Sequence, residues 1–264
     1  MSWRSPFVWA PIAVVFFAAT CLYPNLGLGA NINYDPQGLD QELEVRYSMA
    51  VFALTSGALF GQLVALAFGA AIVRRRHERA PRAGTLAFVI GGGALLGLLH
   101  AAVAVGLAAW SLDLTLNAHE AATAAAAGLT FDPHLLRDPG VVRLIAGEYT
   151  AFPLFAALGA GVGALVRRRR WLVPAVAGWY VVQYVVTAPA LNHASPLLAL
   201  TPTGSALAAA FLTTEDQRII THAEQHGSPT LAIAYLLGST LLYALVANLA
   251  ARYRARRSPN AAER

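Results

Sequence analysis

The chain has 264 residues, of which 57% are hydrophobic and only 12% charged, with a formal net charge of +5. So little charge excludes a well-dissolved globular domain and predicts an all-α polytopic membrane protein occupying the whole chain as one transmembrane domain. All 19 basic residues are arginine and Cys21 is the single cysteine. Without lysine there is no P-loop and no retinal or pyridoxal Schiff base, and one cysteine excludes an intrachain disulfide, a CxxC pair and a thiolate zinc site. If ATP drives this protein, another chain hydrolyses it.

Six segments are apolar over the roughly 20 residues that a helix needs to cross a bilayer. They run from Phe7 to Leu28, Met49 to Val73, Gly84 to Trp110, Val141 to Val166, Trp171 to Leu191 and Thr230 to Ala250. The first follows a short basic start, as a signal peptide does, but its apolar run is too long for one. An acidic connection, Asn31 to Ser48, carries turn signals at Asp35-Pro36 and Gly38. The second and third spans are joined by AIVRRRHERAPRAGTL, Ala71 to Leu86, in which five arginines and one glutamate interrupt the apolar pattern. A short Arg-rich connection of this kind predicts a hairpin turning on the cytoplasmic face.

Ser111 to Gly140 contains an Ala-rich run predicted to be helical, Ala118 to Leu129. It ends in Asp138-Pro139, an N-cap residue followed by proline at the first helical position, so the fourth helix begins before it enters lipid. Asn192 to Pro229 opens with SPLLALTPTGSALAAAFL, Ser195 to Leu212, broken by Pro196, Pro202 and Gly204. Too interrupted to span and too apolar to float free, this stretch is expected to be re-entrant or to lie in the interface. With both termini cytoplasmic, the inner parts hold 15 of the 19 arginines: Arg4, the five from Arg74 to Arg82, Arg167 to Arg170, and the five from Arg252 to Arg264. Only Glu78 and Glu263 of the 14 acidic residues fall on that side. Because the arginines cluster at span ends with no aromatic residues interleaved, they face lipid headgroups or a protein partner and not nucleic acid.

Three small-residue pairs, Gly57 with Gly61, Gly93 with Gly97 and Gly159 with Gly163, predict close helix packing on the second, third and fourth spans. The polar residues inside spans are the candidates for function, because each is expensive there and normally faces protein or water. They are Gln62, His100, Glu148, Gln183 and Asn248, with Tyr149, Tyr184, Tyr235 and Tyr243 beside them. They serve either as hydrogen bonds between helices or as the lining of a translocation path, for which Gln62, His100, Glu148 and Gln183 are the candidates. No metal site is expected: only His100 of the seven histidines lies well inside a span, and His222 with His226 lacks a third ligand. No cofactor is implied. Neither GxSxG nor a pair of intramembrane carboxylates is present. The second functional reading is an intramembrane enzyme or cofactor-binding protein using His100 and Glu148.

In order and texture most of the chain resembles the permease subunits of ATP-binding cassette exporters of the second type, in their compact bacterial six-span form. The resemblance lies in the Gly/Ala-rich second span leading to Glu78 and then Gly84-Thr85-Leu86, and in VRLIAGEYTAFPLFAALGAGVGALVRRR, Val142 to Arg169. The Pro-broken SPLLALTPTGSALAA and the closing ARYRARR belong to it too. Two departures are visible: the spacing from Glu78 to Gly84-Thr85 is longer than the family's usual turn, and only about six residues precede the first span. The resemblance implies a homodimer or heterodimer of six-span halves in the bacterial cell membrane, in contact with its lipids. A separate cytoplasmic ATP-binding cassette ATPase would dock under Arg74, Arg75, Arg76, Glu78, Arg79 and Arg82, and the substrate would be a drug-like, peptide or lipid-like molecule. As the bare alternative, these arginines only set topology.

Overall fold

A computed structural model describes residues 61–111, 122, 125–126, 135–137, 139–166, 171, 174–176, 178–179, 181–182, 202 and 229–257. The first span, Gly57, Arg167 to Arg170, Gln183, Ser195 to Leu212 apart from Pro202, and the histidines other than His77 and His100 lie outside them. The described residues are helical, without strands. Helix α1 covers 61–75, the C-terminal part of the second predicted span. Helix α2 is Ala83–Ser111, a 3-10 turn occupies Leu135–Arg137, α3 is Pro139–Leu165 and α4 is Pro229–Arg257. Within α2, α3 and α4, the stretches Ala83–Gly106, Val141–Leu165 and Ile233–Arg257 are each long and apolar enough to cross a membrane.

Local chemistry fixes these boundaries. Both α3 and α4 open on a proline, Pro139 and Pro229, whose missing N–H is one that a first helical turn leaves unbonded anyway. The last helix continues beyond the expected end at Ala250 to Arg257, because arginine is a good helix former and Arg254, Arg256 and Arg257 complement the negative C-terminal end of the helix dipole. The Arg257 guanidinium lies 4.4 Å from the centre of the Tyr253 ring one turn earlier, which supports the extension.

Helix α3 is the axis of the bundle. More than half of its most apolar window is buried (53%), against 28% in α2 and 33% in α4. Ala151, Phe152, Ala156 and Ala160 are fully enclosed, while Leu95, Leu98 and Leu99 of α2 and Leu242, Leu245 and Leu249 of α4 point outwards. A helix that is apolar on its outward face as well as its inward one is suited to lipid. Val176 and Trp179 add a further wall, Trp179 meeting Tyr243 edge-on at 5.0 Å between ring centres.

Close backbone approaches define the helix directions. On the face towards α1, a Cβ at Gly159 would lie 1.9 Å from the Leu66 carbonyl oxygen, and one at Gly163 would lie 2.6 Å from that of Ala70. The pairing advances together along both helices, so α1 and α3 are parallel. Towards α4, Gly147 meets Ile233 and Gly161 meets Ala247 and Asn248, again in parallel. Towards α2 the order reverses, with Gly93 against Pro153 and Ala156 and Gly97 against Tyr149, so this pair is antiparallel. The expected packing role of Gly93, Gly97, Gly159 and Gly163 is therefore seen directly. Gly97 also explains how Pro153 is tolerated inside α3. Proline removes the N–H that would bond the Tyr149 carbonyl, and Gly97, whose Cβ would come within 2.8 Å of that oxygen, brings α2 close enough to cover it.

Candidate functional site

Two places concentrate polar side chains, and they are built differently. The first is the basic end, where α1, α3 and α4 finish and α2 starts. Helix α1 closes in a Schellman turn: Glu78 N–H donates to the Val73 carbonyl at 3.2 Å and His77 N–H to that of Arg74 at 3.0 Å. His77 occupies the left-handed position of that turn, with φ 54°, where glycine is usual. Glu78 then braces the start of α2. Its Oε2 accepts the Arg82 N–H at 3.0 Å and its Oε1 accepts the Thr85 hydroxyl at 2.7 Å. The Arg76 guanidinium donates to the same hydroxyl at 2.9 Å and lies 5.2 Å from the centre of the Phe88 ring. One carboxylate thereby satisfies two donors at a helix N-terminus, where negative charge also suits the dipole.

The opposite helix polarity is served by arginines from two other helices. Arg254 of α4 donates to the Leu165 carbonyl at 3.0 Å, and Arg74 of α1 donates to the carbonyl of Val166. Both carbonyls belong to the last turn of α3, whose orphan acceptors are thus capped by cations. Arg75, Arg79 and Arg82 remain exposed on the same end, as do Arg252, Arg256 and Arg254 itself. The six predicted coupling residues therefore sit together at the joint, with Arg74, Arg76 and Glu78 bonded into the bundle and Arg75, Arg79 and Arg82 presented outwards.

The second place is a layer about 25 Å along α2 from its first residue, taking 1.5 Å per helical residue. His100, fully buried, forms a triangle with Tyr149 and Phe152 of α3, whose ring centres lie 5.5 to 5.6 Å from one another. Gly61 of α1 completes it: a Cβ there would meet Phe152 at 2.6 Å and the His100 ring at 2.9 Å. Gln62 follows Gly61 and Glu148 precedes Tyr149, so three helices bring buried polar residues to neighbouring levels of the bundle. Both Gln62 and Glu148 are 1% exposed, and Gln62 Nε2 and Glu148 Oε2 have no hydrogen-bond partner among the described residues. Arg143, a conceivable partner five residues before Glu148, is exposed, whereas Glu148 points inwards. Gln183 falls outside the described residues.

Asn248 behaves as a fastener through its amide nitrogen, while its Oδ1 also has no hydrogen-bond partner among the described residues. Its Nδ2 donates to Ala157 O across the α3–α4 contact at 2.9 Å and to Ala244 O at 2.8 Å. On the other side of Tyr149 an apolar groove of about 620 Å³ lies between α2 and α3, lined by Leu98, Ala101, Ile145 and Tyr149 among others. The sequence carried no sign of this groove, because its walls are ordinary apolar residues; nor did it single out Thr85 or Arg254 for their bonding roles. No group of three or more His, Cys, Asp or Glu residues able to hold a metal occurs among the described residues. No family model matches the chain, and no curated protein and no solved structure shows significant similarity to it.

Proposed function

We propose that this chain is the membrane-spanning permease subunit of an ATP-driven exporter, working as a dimer of six-span halves with a separate cytoplasmic ATPase. The observation that carries the proposal is the buried layer of Gln62, His100 and Glu148 on three different helices, with polar atoms of Gln62 and Glu148 left without partners in an apolar surround. Polar groups inside a membrane bundle are costly, and those not consumed in holding helices together mark a path for something polar. The parallel course of α3 and α4 supports the six-span reading, since the chain must return across the membrane between them. The gathering of Arg74 to Arg82 and Arg252 to Arg257 at one end supports a cytoplasmic placement for that end.

The bonded joint supplies a mechanical route. An ATPase pressing on Arg75, Arg79 and Arg82 moves α1 and α2 together through Glu78, and α1 is tied to α3 by Arg74. Transport then follows from two conformations of the bundle whose balance ATP binding shifts. The test is a search for a P-loop ATPase reading frame beside that of this chain, followed by co-reconstitution of the two proteins in liposomes. The chain should stimulate ATP hydrolysis, and Glu78→Arg should abolish the stimulation while leaving membrane insertion intact. Absence of a neighbouring ATPase, or equal stimulation by the variant, would overturn the proposal.

A further inference from the structure

From the outward stripe of α4, where exposed leucines run into Tyr253 and exposed arginines, we infer that this face seats an anionic phospholipid, its acyl chains along the leucines and its phosphate at Arg252, Arg256 and Arg257. The inference goes beyond the exporter reading and does not depend on it. It requires only that α4 lies in a bilayer, which its length and apolarity allow. Leu242, Leu245, Leu249, Tyr253 and Arg256 follow one another at intervals of three and four residues, so they share one helix face. Each of them is exposed, whereas Ala244, Ala247 and Ala251 are buried on the opposite face. The arginines divide in the same way. Arg254 turns towards the bundle and is used there on the Leu165 carbonyl, while Arg256 and Arg257 come round to the outward side.

The length of the stripe and its charge select the occupant. From Leu242 to Tyr253 the helix rises about 16 Å at 1.5 Å per residue, and half of a hydrocarbon core is about 15 Å, so the apolar part matches one leaflet. A tyrosine at the end of such a run sits at headgroup level, and the Arg257 guanidinium lies 4.4 Å from the centre of the Tyr253 ring. The guanidiniums have no carboxylate to answer them. Helix α4 contains no acidic residue, and Glu78 and Glu148 are the only carboxylic side chains among the described residues. Glu78 accepts from Arg82 and Thr85 at the joint, and Glu148 is enclosed in the bundle. Positive charge left uncompensated at the end of an apolar stripe attracts an anion, and the planar fork of arginine matches phosphate oxygens. A phospholipid brings phosphate and apolar chains in one molecule and at the right depth. Phosphatidylcholine carries the phosphate too, but its quaternary ammonium is repelled by the same guanidiniums, whereas phosphatidylglycerol adds only hydroxyls.

The experiment uses the full chain in nanodiscs of phosphatidylcholine with a minor share of phosphatidylglycerol. Tracers of the two lipids carry the same diazirine at the same place in one acyl chain. After photolysis and trypsin digestion, label is read on the peptide that contains Leu242 to Leu249 of α4 and on the one that contains Leu95 to Leu99 of α2, whose leucines are equally exposed. A basic residue near an anionic surface favours it by a factor of about five, so the ratio of phosphatidylglycerol to phosphatidylcholine label is expected to be at least roughly threefold higher on α4 than on α2. Replacing Arg252, Arg256 and Arg257 together by Gln should bring the α4 ratio down to that of α2 and leave the α2 ratio unchanged. Should that variant fail to fold, Arg256→Gln alone should still lower the α4 ratio and spare that of α2. Equal ratios on the two peptides of the wild-type chain overturn the inference. So does an equal fall on both peptides in the Gln variants, which marks a diffuse field of all the basic residues, or an α4 ratio that the variants leave unchanged. Absence of both labels from α4, as when a second copy of the chain covers the stripe, overturns it too. No reading involves an ATPase, so failure here leaves the exporter standing, and failure of ATPase stimulation leaves the lipid seat standing.

Discussion

The basic end and the layer around His100 hold similar polar side chains, yet one is finished and the other is not. At the basic end Glu78 bonds through both oxygens, Thr85 both donates and accepts, and Arg74 and Arg254 cap the carbonyls that end α3. Around His100 the density of rings is high, but Gln62 and Glu148 keep atoms without partners. Buried polar groups in stable proteins are almost always bonded, so an exception inside an apolar bundle needs a reason other than stability. The contrast separates an end whose polar groups are bonded into the bundle from a layer that keeps some of them unbonded.

The largest expected effect comes from the contact that makes the basic half rigid. Gly159→Leu would drive its Cβ into the Leu66 carbonyl, backbone against backbone, and neither helix can give way without moving the other. Overpacking of a tight core costs about 1–3 kcal/mol, and backbone contact places this variant at the upper end. In differential scanning fluorimetry it should lower the unfolding midpoint by many degrees or prevent recovery of folded protein. The matched change on α2, Gly91→Leu, meets nothing within 4 Å and should stay within about 0.5 kcal/mol of the wild type. Equal behaviour of the two variants would mean that α1 and α3 are not in this register.

A smaller effect is expected at the joint. Glu78→Ala removes the acceptor of the Arg82 N–H and of the Thr85 hydroxyl, and loss of a helix-capping side chain costs about 1 kcal/mol. His77→Gly should act in the opposite sense. A left-handed non-glycine residue carries roughly 1–2 kcal/mol of strain, while glycine loses about 0.5–1 kcal/mol in chain entropy, so a gain of a few tenths to about 1 kcal/mol is expected. Thermal midpoints that move down for the first variant and up for the second, with additivity in the double variant, would fix the joint as a folded element. A joint without that structure would show neither shift.

Much of this frame was legible in the sequence because helices long and apolar enough to cross a membrane follow simple rules. Apolar length gave α2, α3 and α4 to within two residues at their starts, and Pro139 marked the first residue of α3. The clustering of arginines at one end followed from charge alone. Gly93, Gly97, Gly159 and Gly163 were readable as packing positions because small residues spaced by four share a helix face. Gly147 and Gly161 were not, since their small partners at that spacing, Ala151 and Ala157, are alanines, and alanine is too frequent in this chain to single out a face. The bonding of Glu78 depends on a turn with a left-handed histidine, and no periodic pattern encodes such a turn. The groove beside Tyr149 and the unequal bonding of Asn248 and Glu148 depend on which neighbours arrive, and single positions do not carry that information.

The smallest stability change, and the one that bears most on the comparison, is expected for Glu148→Gln. If Glu148 were a structural fastener like Asn248, its replacement would strand whatever it bonds, and stranding a buried partner costs about 1–3 kcal/mol. Its Oε2 bonds nothing among the described residues, however, and glutamine keeps the shape while replacing an ionisable carboxyl by a neutral amide. Exchanging a buried ionisable group for a neutral one of similar volume is often neutral or stabilising. The variant should therefore unfold within about 0.5 kcal/mol of the wild-type chain or above it. Asn248→Leu offers the opposite case, because it strips two bonds, one of them the side-chain tie from α4 to the Ala157 carbonyl of α3. It should lower the midpoint by the equivalent of about 1–2 kcal/mol. The pair is measured by the same scanning fluorimetry in one detergent, without ligand. If Glu148→Gln proves as damaging as Asn248→Leu, Glu148 is holding helices together and the distinction between the two halves of the bundle disappears.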